Sequence, residues 1–118
     1  MNKAIIYHNS RWGKSRESVK ILENSKIDFK IINYLEAPLT KDDIRNLLGL
    51  LKLKAKEIIR KNEAEFKLLN LSNEDLECDE MVIKAIIKSP KILQRPIIVS
   101  NNKAVIGRPP EKIYEILQ

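Results

Sequence analysis

The chain has 118 residues, of which 43% are hydrophobic and 32% charged, a size and composition typical of one soluble domain rather than a disordered chain. No apolar run approaches the ~18 residues of a membrane helix, and the N-terminus lacks a signal-peptide layout, so we expect a cytoplasmic protein. The single cysteine, Cys78, excludes an internal disulfide, and the net charge of +6 comes with scattered lysines and 5% aromatics, so we expect no nucleic-acid binding.

The first third of the chain predicts a strand, a helix and a second strand. Residues 4–7 are a short β-branched run, which is typical of a buried strand. Gly13–Asn24 carries apolar residues at helical spacing, and residues 28–34 form a second apolar run. Two strands joined by a helix of this length form a βαβ unit, in which the strands are parallel.

A polar loop joins this first strand to the first helix. The loop and the start of the helix hold His8, Asn9, Arg11, Lys14, Ser15 and Arg16. A strand that leads into a helix through such a loop directs backbone N–H groups and the positive end of the helix dipole at one point, which suits an anion or a nucleophile. A basic loop that is simply solvated is the alternative, and the loop residues alone do not decide between the two.

The middle of the chain predicts helices. Thr40 and Asp43 have the spacing of a capping-box variant before a strongly periodic apolar stripe, Ile44, Leu47, Leu48 and Leu51. Ala55–Asn62 predicts a short helix and Asp79–Lys88 a longer one. The side chains expected in the core are those of Phe66, Leu68, Leu69 and Leu71 from a less regular stretch, and Met81, Val82, Ala85 and Ile86 from the longer helix.

The last part of the chain predicts a hairpin and a final helix. Two short apolar runs, 97–99 and 104–106, flank the Asn101-Asn102 pair, and asparagine tolerates the positive φ of a tight hairpin turn. Pro109-Pro110 opens a helix with inward-facing side chains, namely Ile113, Tyr114, Ile116 and Leu117. The whole order predicts one α/β domain with a mixed four-stranded sheet.

Six short motifs occur along the chain in a fixed order. They are Tyr7-His-Asn9, Gly13-Lys-Ser-Arg16, Tyr34-Leu-Glu36-Ala-Pro38, Ile59-Arg60-Lys-Asn62, Gln94-Arg95-Pro96-Ile-Ile-Val99 and Gly107-Arg108-Pro109. Together with the element order they resemble the arsenate reductase family of the ArsC type over essentially the whole chain. The resemblance implies a thioredoxin-like fold over residues 1–118 as a single domain, with a helical insertion at about residues 37–92.

The resemblance also implies an oxyanion pocket. Three arginines form it in the family, and they fall on Arg60, Arg95 and Arg108 here. A guanidinium is always charged and offers forked donors that match a tetrahedral oxyanion, so arsenate, phosphate or sulfate is the expected ligand. Without the resemblance, the favoured interpretation of Arg95 and Arg108, which both precede prolines, is that they are loop arginines pairing with carboxylates.

Further positions carry family roles. His8 and Ser15 fall on positions that tune the nucleophile, and Pro96 falls on a proline that is typically cis beside the active loop. Asn9 and Gly13 belong to that loop. The resemblance implies no metal and no bound cofactor, with glutathione or glutaredoxin as the reductant only where the protein is active.

Trp12 stands where the family has its catalytic cysteine. A thiolate attacks the oxyanion and later exchanges with glutathione, whereas indole has no nucleophilic atom for either step. We therefore expect arsenate reduction to be lost or altered. Three roles stay open for Trp12: it packs on an arginine, it fills a retired site, or it belongs to a pocket that binds an anion without chemistry.

A regulatory or partner-binding protein is the alternative. The Spx transcriptional regulators share the fold and form the neighbouring branch of the family. Their Cys-x-x-Cys switch is absent, because its two places hold Ser10 and Gly13. An Spx-like protein without catalysis would bind a protein partner rather than turn over a substrate.

Overall fold

The computed structural model describes residues 3–8 and 13–117, and for residues 8 and 13–15 it describes the backbone alone. In chain order the elements are β1 Lys3–His8, α1 Gly13–Asn24, β2 Asp28–Asn33, α2 Lys41–Leu51, α3 Ala64–Leu68, α4 Asn73–Glu77, α5 Asp79–Lys88, β3 Ile97–Ser100 and β4 Lys103–Ile106. Short 3₁₀ helices cover Ala55–Ile58, Pro90–Ile92 and Pro110–Glu115. Within these described residues, every helix falls short of the length and apolar character that a membrane span requires.

The four strands form one mixed sheet in the order β2–β1–β3–β4. β1 and β2 are parallel, with His8 opposite Asn33, and β1 is antiparallel to β3, with Tyr7 opposite Ile97. β3 and β4 are antiparallel, with Ile97 opposite Ile106. This confirms the predicted α/β fold. In this register the last residues of β1, β2 and β4 and the first residue of β3 lie along one end of the sheet, which we call the carboxyl end.

The chain divides into two compact units. The first unit consists of Met1–Ala37 and Arg95–Gln118, and the second of Pro38–Gln94. The core of the first unit lies between the sheet, α1 and the last 3₁₀ helix, and its buried members are Ala4, Ile6, Leu22, Ile98, Ile113 and Ile116. A single domain with an insertion at about 37–92 stays a prediction.

In the second unit, α2 begins at the capping box that the sequence predicts. The Thr40 hydroxyl accepts from the Asp43 backbone N–H at 3.1 Å, and the Thr40 N–H donates to the Asp43 carboxylate at 2.9 Å. These two bonds satisfy amide groups that a helix start leaves unpaired. The helix buries Ile44, Leu47 and Leu48 and ends at Leu51.

The helix predicted over Ala55–Asn62 is wrong beyond Ile58. Only Ala55–Ile58 is helical, as a 3₁₀ turn, and Ile59 is extended and forms an isolated antiparallel bridge with Leu93. The Gln94 N–H donates to the Ile58 carbonyl at 2.7 Å. This pairing with a segment far along the chain supplies the backbone bonds that a continued helix would have made.

Several side chains expected in the core are exposed. Leu68 is 80% exposed, because α3 is a five-residue helix with no buried residue. In α5 the buried stripe includes Ile83 in place of Met81, which is 39% exposed. Ile83 and Ile86 are three residues apart and therefore share one face of the helix.

The final helix is also different from the prediction. Pro110–Glu115 is a 3₁₀ helix, with three residues per turn. Residues three apart then share a face, so Ile113 and Ile116 are buried while Tyr114 is 52% exposed. Tyr114 is therefore not a core residue.

Candidate functional site

Two predicted site arginines lie at the carboxyl end of the sheet. Arg95 and Pro96 immediately precede β3, and Gly107 and Arg108 immediately follow β4. Because β3 and β4 pair up to their ends at this side, the two dipeptides leave the hairpin next to each other. The Gly107 N–H donates to the Pro96 carbonyl at 2.8 Å, which joins the two segments directly.

The two arginines differ in burial. Arg95 is 2% exposed, whereas Arg108 is exposed. A guanidinium stays charged inside a protein, so burial of Arg95 fixes a positive charge in the first unit. Arg108 can turn its forked donors toward a ligand from solvent. A buried arginine and an exposed arginine on adjoining backbone segments are residue types suited to binding a small anion.

Both segments contain cis peptide bonds. The Arg95–Pro96 bond is cis, which is the isomer that the resemblance implies for Pro96. The Arg108–Pro109 bond is cis as well, and no sequence signal predicted it.

Gly107 brings α1 close to this end of the hairpin. A Cβ on Gly107 would lie 2.8 Å from Ser18 Oγ, 2.9 Å from Ile98 Cδ1 and 3.0 Å from Pro96 Cγ. Ser18 is fully buried in α1. Sequence reasoning missed Ser18, although its place four residues before the buried Leu22 puts it on the inward face of the helix.

The start of α1 follows the same end of the sheet. β1 ends at His8 and α1 begins at Gly13, so the first turn of α1 contains Ser15. The side chains of His8 and Ser15, and the whole of Asn9 and Trp12, lie outside the described residues. Their predicted roles stay predictions.

Arg60 belongs to the second unit. Its side chain is 16% exposed, and its Nε lies 3.7 Å from Oε1 of Glu63, whose side chain is 18% exposed. Its backbone N–H donates to the Ile92 carbonyl at 2.6 Å. The pocket of three arginines stays a prediction.

Cys78 is exposed and lies between α4 and α5 in the second unit. Among the described residues, no group of three or more His, Cys, Asp or Glu side chains could hold a metal ion.

The positive charge of the protein lies mostly in the first unit, where basic residues outnumber acidic ones more strongly than in the second. A positive field around the first unit attracts anions.

Known proteins resemble this chain along nearly its whole length. The ArsC family matches residues 7–116. An uncharacterized protein of Escherichia coli K12, YfgD, is 42% identical over 113 residues, which are 95% of this chain and 94% of that protein. An arsenate reductase of Haemophilus influenzae is 38% identical over 114 residues, 96% of this chain and 97% of that one.

Solved structures show the same fold. The arsenate reductase from Vibrio cholerae superimposes with a TM-score of 0.92, at 38% sequence identity and over 98% of each chain. This agreement confirms the thioredoxin-like architecture that the motifs imply. With the family match and these relatives, the chain belongs to the ArsC family.

Proposed function

We propose that this arsenate reductase-like protein binds a tetrahedral oxyanion such as arsenate, phosphate or sulfate and does not reduce arsenate by cysteine chemistry. The observation that carries the binding half is the pairing at the carboxyl end of the sheet. Arg95 and Arg108 flank the Pro96–Gly107 hydrogen bond, so two guanidinium-bearing residues leave the hairpin together. Arg60 is a further ligand implied by the resemblance, and it is tested separately.

The chemistry of the two arginines supports binding of an oxyanion. A guanidinium donates two parallel N–H bonds to two oxygens of a tetrahedral anion, and such charge-assisted bonds are among the stronger polar contacts in proteins. Burial of Arg95 limits its rotamers before a ligand arrives, so less conformational entropy is lost on binding. The N–H groups at the start of α1, which follows β1, suit the same kind of ligand.

The absence of catalysis follows from the residues available as a nucleophile. Reduction through a thiolate requires a sulfur at the site, and the family position holds Trp12. The one cysteine of the sequence, Cys78, is exposed in the second unit. The position that carries the nucleophile in the family therefore has no thiol in this chain.

Binding is tested by thermal unfolding with arsenate, phosphate and sulfate. A ligand that binds only the native state stabilises it by ~2.7 kcal/mol at a hundredfold excess over Kd. We expect Tm to rise for the wild type and the rise to shrink in Arg108→Ala and in Arg95→Lys, which keeps the charge but loses the fork. Lys103→Ala is the matched control, because Lys103 lies on β4 at the opposite end from Arg108.

An equal loss in Lys103→Ala and Arg108→Ala would show that net charge alone accounts for the effect. No shift of Tm with any of the three oxyanions would contradict the proposal. Such a result would favour the Spx-like alternative, a protein that binds a partner.

The catalytic half is tested by restoring a thiol. We expect no glutathione-dependent arsenate reduction by the wild type, measurable turnover by Trp12→Cys, and none by Trp12→Ser, since only the cysteine supplies a nucleophile. All three are measured in a Cys78→Ser background to exclude the exposed thiol. Wild-type turnover that persists in Cys78→Ser would disprove the loss of catalysis.

A further inference from the structure

Arg60 already has an internal anion beside it. The Glu63 carboxylate lies 3.7 Å from Arg60 Nε, and the two side chains are 16% and 18% exposed. The Lys91–Glu65 pair in the same unit is more open, with side chains 54% and 34% exposed. Solvent screens a charge pair less as burial increases, so the Glu63 charge acts on Arg60 more strongly than a surface carboxylate would.

Glu63 serves the helix that follows it through its backbone, because its carbonyl accepts from the Phe66 N–H at 3.1 Å. Glu63 is the N-cap residue of α3, yet its side chain makes no capping hydrogen bond. α3 has five residues, none of them buried. The Glu63 carboxylate is thus placed beside Arg60 and not on the free N–H groups of α3.

We infer that Glu63 determines the charge of the anion that Arg60 accepts. The inference rests on the proposed function, and specifically on Arg60 as an oxyanion ligand. An anion that approaches Arg60 meets the repulsion of the Glu63 carboxylate as well as the attraction of the guanidinium. Repulsion grows in proportion to the charge of the anion, so the carboxylate disfavours a dianion more than a monoanion.

The charge of the ligand is separable from its shape. Sulfate and perchlorate are both tetrahedral oxyanions, but sulfate carries two negative charges and perchlorate one. Neither changes its protonation near neutral pH. Their difference in hydration is the same for every variant, so the change in their affinity ratio between variants reports on the charge that the site prefers.

The experiment is calorimetric titration of sulfate and of perchlorate into the wild type, Glu63→Gln and Glu63→Asp. We expect Glu63→Gln, which removes the charge but keeps the shape, to raise sulfate affinity about tenfold and perchlorate affinity about threefold. Glu63→Asp keeps the charge, so its sulfate-to-perchlorate ratio should stay near that of the wild type. Glu65→Gln is the matched control, because it removes a carboxylate two residues away that pairs with Lys91.

The outcomes separate the inference from the proposed function. If the wild type binds sulfate and Arg60→Ala binds it equally well, Arg60 is not a ligand and the inference fails while Arg95 and Arg108 stand. If Glu63→Gln and Glu65→Gln change the affinity ratio alike, the inference also fails. If neither the wild type nor Glu63→Gln binds either anion, both the proposed function and the inference fail.

A stability effect alone does not support the inference. Urea unfolding of each variant shows whether the substitution alters the fold. A loss of unfolding free energy in Glu63→Gln with an unchanged affinity ratio would identify a purely structural ion pair and overturn the inference. Glu63→Asp provides the same comparison with the charge retained.

Discussion

Gly107 is the residue at which the packing of α1 against the hairpin end allows no side chain. All three of the nearest atoms lie within 3.0 Å of the place where its Cβ would be, and they belong to Ser18, Ile98 and Pro96. Real Cβ contacts are longer, so a methyl group there must displace the side chains that these atoms belong to. Arg108 follows directly, and its position depends on that turn.

We expect Gly107→Ala to lower the free energy of unfolding by about 1–3 kcal/mol, the usual effect of overpacking. Gly49→Ala is the matched control, because a methyl group on Gly49, inside α2, would meet nothing within 4 Å. Alanine favours a helix interior over glycine, so that variant should gain about 0.5–1 kcal/mol. Urea unfolding measures both, and a stable Gly107→Ala would show that the contact relaxes freely.

At the scale of elements, the β3–β4 hairpin illustrates how a short sequence signal produces a defined turn. Asn101 and Asn102 have φ values of 54° and 58°, the left-handed conformation at both central positions of the turn. Primed turns with this conformation match the twist of the strands that they connect. The Asn101 side chain also donates to the Ile116 carbonyl at 2.9 Å, which ties the turn to the end of the last 3₁₀ helix.

The two asparagines should respond differently to glycine. Glycine adopts the left-handed conformation without the steric cost that a Cβ imposes. Asn102→Gly is therefore expected to stabilise the protein by up to about 1 kcal/mol. Asn101→Gly removes the same steric cost but also loses the side-chain hydrogen bond to Ile116, worth about 0.5–1.5 kcal/mol, so it should be the less stable of the two variants. Chemical denaturation of both variants checks the order, and the reverse order would contradict the role of the Asn101 side chain.

At the scale of the whole molecule, exposed ion pairs connect stability to pH. Arg45 donates to both carboxylate oxygens of Glu80, at 3.0 and 2.7 Å. The hydrogen bond and the opposite charge raise the pKa of Arg45 and lower the pKa of Glu80. Lys56 lowers the pKa of Glu77 in the same way.

A carboxyl group whose pKa is lower in the folded than in the unfolded protein stabilises the fold above its unfolded pKa and loses that contribution as pH falls. We therefore expect the unfolding free energy to decrease between roughly pH 5 and pH 3. Glu80→Gln should make that decrease smaller, because the group no longer titrates. Glu74→Gln, an exposed control in α4, should leave the slope closer to that of the wild type. Equal slopes in all three proteins would rule out this linkage.

Elements whose signals are local could be predicted from the amino-acid sequence. The bounds of α1 and α5, the capping box at Thr40 and the Asn101-Asn102 turn were all predicted from residues a few positions apart. The parallel β1–β2 pair followed as well, because a helix of that length between two strands leaves few other connections. Short-range spacing carries these features, so the sequence is sufficient for them.

Features that depend on contacts between distant parts of the chain became apparent in the folded protein alone. The Ile59–Leu93 bridge ended a predicted helix, because backbone pairing with a distant segment replaced the local hydrogen bonds. The close approach of Ser18 to Gly107 and the meeting of the segments that carry Arg95 and Arg108 come from the packing and register of the sheet. Local periodicity carries no information about which distant segment a residue will pack against. The candidate site is formed by such distant segments, so its assembly could not be predicted from periodicity.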